Sequence, residues 1–90
     1  TYVHLRLDKD KNKDWIHTDH DSDFAALIYI SETNLNSGTV FYNENNQVIT
    51  DIGFVQNRAI FFNGQIKHKS KLNYGKDDNL RLTCNGFFHD

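Results

Sequence analysis

The feature that most restricts this chain is the rhythm of its apolar residues, which recur at every second position and hardly anywhere at helical spacing. Residues two apart lie on one face of a strand, so this rhythm predicts strands with one buried side. In residues 2–8, Val3, Leu5 and Leu7 alternate with Tyr2, His4, Arg6 and Asp8. Residues 24–31, FAALIYIS, are apolar on both faces, as in a strand at the middle of a sandwich or barrel. Further short strands are predicted at 15–19, 38–42, 48–51, 54–55, 58–62, 66–70 and 80–88. Between them lie a charged turn at 8–14, a polar loop at 31–38, a turn at 43–47 and a long polar loop at 71–79. Gly53 and Gly75 mark further turns, and Asn63-Gly64 predicts a hairpin between its flanking strands. There is no helix pattern, repeat or linker, so the expectation is one all-β domain over 1–90, a sandwich or barrel.

Composition narrows the function classes. The net charge of −2 calls for no nucleic-acid partner and no anionic membrane surface. No apolar run approaches the roughly 18 residues of a membrane span. A single cysteine, Cys84, excludes an internal disulfide and fits a reducing compartment, which places the expectation in the cytoplasm. With 38% apolar residues the core should be thin. The chain opens on Thr1 and contains no Met, which reads as a fragment, a trimmed chain or an incomplete reading frame.

Chemistry enters with Trp15-Ile16-His17-Thr18-Asp19. In a strand, His17 and Asp19 project on the same side, an imidazole beside a carboxylate. A second imidazole would complete two histidines and one carboxylate on one face of an octahedron, leaving positions open for reactants. His68 is the candidate. Lys67 and Lys69 should face water, which turns Ile66, His68 and Ser70 inward. A lone inward histidine is more often a satisfied core residue than a ligand, but His17 and Asp19 upstream reverse that balance. In the last strand Arg81, Thr83 and Asn85 share one face and Leu80, Leu82 and Cys84 the other. A buried arginine needs a partner, and a bound dicarboxylate would supply one through a bidentate pair. A surface arginine on a sheet edge is the competing reading.

On these residues the chain resembles the prolyl-4-hydroxylase-like branch of the 2-oxoglutarate/iron(II) oxygenases. His17 and Asp19 match the family's HxD triplet, His68 its distal histidine, and Arg81 the basic residue about one strand later. LIYIS at 27–31, SGTVFY at 37–42, NRAIFFNGQIKHKS at 57–70 and LRLTCNGFF at 80–88 are similar to its other segments, in the same order. The resemblance implies a double-stranded β-helix, a jelly-roll or cupin-like barrel, here as a truncated core. It implies Fe(II), 2-oxoglutarate and O2 as the reacting set, with decarboxylation of the oxo acid coupled to hydroxylation of a small-molecule or peptide substrate, a prolyl residue among the options. It further implies that Tyr29 and Arg81 take the far carboxylate of 2-oxoglutarate, with Thr83 a further contact. The chain departs from the family before the triplet, where buttressing helices and strands are usual and only the short stretch up to Asp14 stands here.

Other titratable residues are weaker candidates. His20, Asp21 and Asp23 read as loop residues, and His4 and His89 as bystanders. Trp15 is expected to pack in the core or at the rim, and Cys84 to be small and buried. The apolar positions on both faces of 24–30 lead us to expect a homodimer or an exposed apolar sheet face. A non-catalytic cupin-like barrel that binds a metal or ligand is the alternative to an oxygenase.

Overall fold

A computed structural model describes the backbone of residues 2–8 and all atoms of residues 15–19, 23–72, 74, 76 and 80–88. Its elements are strands: β1 (Tyr2–Asp8), β2 (Phe24–Tyr29), β3 (Asn34–Tyr42), β4 (Val48–Phe54), β5 (Ala59–Asn63), β6 (Lys67–Ser70) and β7 (Arg81–Phe88). They form two antiparallel sheets, one in the order β1-β7-β2-β5 and one in the order β4-β3-β6. No α-helix occurs among the described residues, and none there is long and apolar enough to cross a membrane. The all-β expectation therefore holds.

The period-2 pattern becomes burial where a strand has a core to face. In β2, Ala25, Leu27 and Tyr29 are buried while Phe24 and Ile28 are exposed. Leu27, Tyr29 and Phe54 form the centre of the apolar core, with Ile52, Ile60 and Phe62 packed against it from both sheets. Tyr29 stacks on Phe54 with ring centroids 4.2 Å apart. Polar residues share this interior on equal terms: Ser37, Thr39, His68, Ser70, Arg81, Thr83 and Asn85 are buried alongside seven apolar ones. Buried polar groups need partners, so the space between the sheets is organised around hydrogen bonds as much as around apolar contact.

Several local expectations change. The Asn63-Gly64 turn forms, with the Ile66 amide donating to the Asn63 carbonyl at 3.1 Å. It does not make a hairpin, because β5 pairs with β2 and β6 with β3, so the turn carries the chain from one sheet to the other. The polar stretch 31–38 is strand from Asn34 onward, and Gly53 lies inside a continuous β4 that replaces two predicted fragments. Residues 15–19 join the second sheet beside β6 through a single bridge between His17 and His68. Cys84 is only partly buried, on the outward side of β7. Trp15 is 74% exposed, which excludes a core position. The expectations for 9–14, His20, Asp21, Gly75 and His89, and for the His4 side chain, lie outside the described residues.

One position explains how β3 is shaped. Its pairing with β4 shifts register between Asn34 and Thr39, the mark of an irregular, bulged strand. Gly38 sits in that shift, and a Cβ there would run into the Ile52 carbonyl. Only glycine allows the two backbones to approach this closely. The bulge turns the Ser37 and Gly38 carbonyls toward Arg81 of the other sheet.

Candidate metal centre

The centre begins with the backbone. The His17 amide donates to the His68 carbonyl at 3.0 Å, and the His68 amide donates to the His17 carbonyl at 2.9 Å. Residues paired in this way stand opposite each other across an antiparallel ladder, so their side chains leave the same face. The two imidazoles accordingly meet, with centroids 4.4 Å apart. Two residues on, the Asp19 amide donates to the Gly64 carbonyl at 2.7 Å. The turn that leads into β6 thus also sets the carboxylate, and Asp19 Oδ2 lies 3.3 Å from His68 Nε2.

Both histidines are oriented by the same device. His17 Nδ1 is 2.8 Å from the Trp15 carbonyl, and His68 Nδ1 is 2.8 Å from the Ile66 carbonyl, each two residues back along the chain. A carbonyl only accepts, so each Nδ1 is the donor in its pair, which leaves Nε2 as the nitrogen turned to a metal. This is the arrangement that metal-binding histidines adopt when an outer partner fixes their tautomer. One ligand atom from each of His17, Asp19 and His68 can be chosen so that all lie within 4.8 Å of one another. Cis ligands of an octahedral first-row ion sit roughly 3 Å apart, given bonds of about 2.1 Å. The His68–Asp19 separation nearly meets that spacing already, and the donor set fits a divalent transition metal. It is the one such group among the described residues.

The surroundings limit solvent. His68 is buried, with Phe62 edge-on at 4.9 Å and Phe41 at 5.9 Å. A cavity with about 40 Å³ of water-accessible space touches all three candidate ligands and is lined further by Thr39, Ser70, Arg81 and Asn85. That volume holds a few water molecules.

Arg81 is 1% exposed, so the surface-arginine reading falls. Its Nε donates to the Ser37 carbonyl at 2.7 Å, and Nη2 reaches the Gly38 carbonyl at 3.5 Å. Its guanidinium carbon lies 5.4 Å from the Phe54 ring centroid and 6.0 Å from that of Tyr29. The bulge in β3 and the aromatic pair beneath therefore hold the guanidinium at the wall of the cavity that contains the histidines.

The other two residues expected at a cosubstrate are placed differently. Tyr29 is fully buried, and its hydroxyl is hydrogen-bonded to Thr39 Oγ1 at 2.7 Å. Burial pushes its pKa above the usual phenol value, while the Thr39 hydrogen bond and the charge of Arg81 pull it down. It is protonated at neutral pH and able to act as donor. Thr83 is fully buried, donates to Asn85 Oδ1 at 2.7 Å and does not line the cavity. The respective hydrogen-bond partners of Tyr29 and Thr83, Thr39 and Asn85, do line it, together with Ser70. Ser37 falls in the stretch 31–38 that reads as loop and Thr39 in the strand 38–42, and neither stands out there as a site residue. Thr39 shares a strand face with Phe41, which stands opposite His68, and that period-2 relation is the signal that could have found Thr39.

Comparison with models of known protein families, with curated proteins and with solved structures finds no match to this chain.

Proposed function

We propose that this chain is the catalytic core of an iron(II)- and 2-oxoglutarate-dependent oxygenase built on a double-stranded β-helix. The observation that carries the reading is the convergence of His17, Asp19 and His68, with both Nδ1 atoms tied to backbone carbonyls, on a cavity that Arg81 also lines. The chain path supports it. Counting residues 15–19 as a strand, each sheet has four members, and the chain crosses repeatedly between the sheets, as in a jelly roll.

In this reading His17, Asp19 and His68 hold the ion through two Nε2 atoms and one carboxylate oxygen. Bound iron(II), with 2-oxoglutarate and dioxygen, supplies the chemistry: the oxo acid loses carbon dioxide to become succinate while a substrate C–H bond is hydroxylated. The remaining tasks fall to the chain itself. The Trp15 and Ile66 carbonyls keep each imidazole in its ligating tautomer, and Phe41 and Phe62 shield the ring of His68. Arg81, held by Ser37, offers a planar fork suited to the far carboxylate of the cosubstrate. Thr39, held by Tyr29, and Asn85 line the same cavity and can donate to it. The substrate is a small molecule or a peptide, a prolyl residue being the first to try.

The test is an anaerobic titration of iron(II) and then 2-oxoglutarate, followed by the metal-to-ligand charge-transfer band, with succinate release measured in air. We expect the band in the wild type and its loss in His68→Ala. Iron binding without any 2-oxoglutarate band would instead leave a non-catalytic metal-binding barrel.

A further inference from the structure

An antiparallel sheet over a core is usually apolar inside and polar outside, and in the first sheet the outer side departs from this, with β7 reversed altogether. On β7 the buried inward residues Arg81, Thr83 and Asn85 are polar, while Leu82 and Cys84 point outward. The outward positions continue without a charge across the neighbouring strands. Phe24 and Ile28 on β2 are 53% and 41% exposed, and Phe61 on the edge strand β5 is 78% exposed. Phe61 stands opposite Ala26, which stands opposite Gly86, and Ile28 stands opposite Cys84, so these residues form continuous rows. On the far side of β7, Val3, Leu5 and Leu7 occupy the register positions opposite Gly86, Cys84 and Leu82. Among the outward positions of β2, β5 and β7, Asn63 is the lone polar residue.

We propose that this face is a homodimer interface, covered by the same face of a second copy in sheet-on-sheet packing. Three features select a second copy. A face without charge meets its own image without like-charge repulsion and without stranding an ion, whereas an anionic or cationic partner finds nothing there to pair with. A two-fold contact requires a patch that complements itself, and the uncharged outward side of β2, β5 and β7, studded with phenylalanines, does so. The size also suits a dimer. Four strands about 4.8 Å apart and about six residues long give a footprint of roughly 400 Å² per copy. Pleating and the projecting Phe61 and Phe24 rings raise the area removed from water toward the low end of specific interfaces, about 1,200 Å² in total. The dimer is therefore reversible and concentration-dependent. It presses on the outer side of the strand that carries Arg81 inward, and it does not depend on the oxygenase reading.

Sedimentation velocity of the full chain, under reducing conditions and across a wide concentration range, tests the association. Cys84 tests the face, because it is the one cysteine of the chain and stands within the apolar rows. Its alkylation rate should fall as concentration rises through the dimerisation range. Phe61→Lys, at a position 78% exposed on the edge strand, should weaken the dimer about tenfold or more, since it buries a charge in an apolar contact. A chain that stays monomeric throughout overturns the proposal. So does a dimer in which Cys84 is alkylated as fast as in the monomer. If Phe61→Lys fails to fold, the alkylation of the wild-type chain decides alone.

Discussion

Arg81 is the residue on which the proposed cosubstrate binding and the fold meet. Its Nε bond to the Ser37 carbonyl fixes the guanidinium plane, and its burial makes the chemistry of its neighbours strict. Arg81→Lys keeps the charge but replaces the planar fork with a single ammonium, losing both the Ser37 anchor and bidentate geometry. Affinity for 2-oxoglutarate should fall by about 1–3 kcal/mol, the range of a charge-assisted hydrogen bond. Iron affinity should stay nearly unchanged, because the three candidate ligands, His17, Asp19 and His68, lie elsewhere in the chain. The anaerobic charge-transfer titration reads both constants, and an unaltered 2-oxoglutarate affinity would remove Arg81 from the role. At this scale the sequence was informative. His17 and Asp19 were legible as strand neighbours two apart, His68 from its place between Lys67 and Lys69, and Arg81 from its alternation with leucines. What alternation does not reveal is which polar groups satisfy one another. Tyr29 was expected at the cosubstrate, yet Thr39 takes its hydroxyl, and that pairing depends on how two distant strands face across the core.

At the scale of elements, period 2 located strands but said little about their partners. Asn63-Gly64 has the local chemistry of a hairpin and makes the expected turn. The partners of β5 and β6 lie in different sheets, so long-range pairing overrode the local signal. The bulge in β3 was equally hidden, because a register shift belongs to the pair β3–β4 and not to either strand alone. Gly38 is where this matters for the site. A side chain there meets the Ile52 carbonyl, a backbone atom that cannot swing aside. Gly38→Ala should therefore force β3 away from β4 and cost about 3 kcal/mol or more, beyond ordinary overpacking. Because the same bulge aims the Ser37 and Gly38 carbonyls at Arg81, 2-oxoglutarate binding should weaken with it. Urea unfolding measures the first effect and the charge-transfer titration the second. A variant of wild-type stability would show that β3 and β4 are less closely apposed than described.

For the whole molecule, a metal ion between residues 15–19 and β6 would do more than chemistry. Residues 15–19 join the second sheet through one bridge pair, and the interior they face is as polar as it is apolar. Such a core leaves a small margin of stability, since buried polar groups contribute little net once their hydration is lost. An ion ligated by His17, Asp19 and His68 fastens that segment to β6, and a ligand that binds only the folded chain stabilises it by mass action. With free metal at about a hundred times its dissociation constant the gain is roughly 2.7 kcal/mol. For a domain near this size, each kcal/mol moves the melting temperature by about 4–8 °C. Manganese(II), used in place of iron(II) to avoid oxidation, should therefore raise Tm by roughly 10–20 °C in a thermal scan. Chelation should reverse the shift. His68→Ala should lose this metal-induced shift, and its metal-free Tm should fall as well, because the ring it removes is buried against Phe41 and Phe62. An equal metal-induced shift in His68→Ala would mean that the ion binds elsewhere, and the site assigned to His17, Asp19 and His68 would have to be given up.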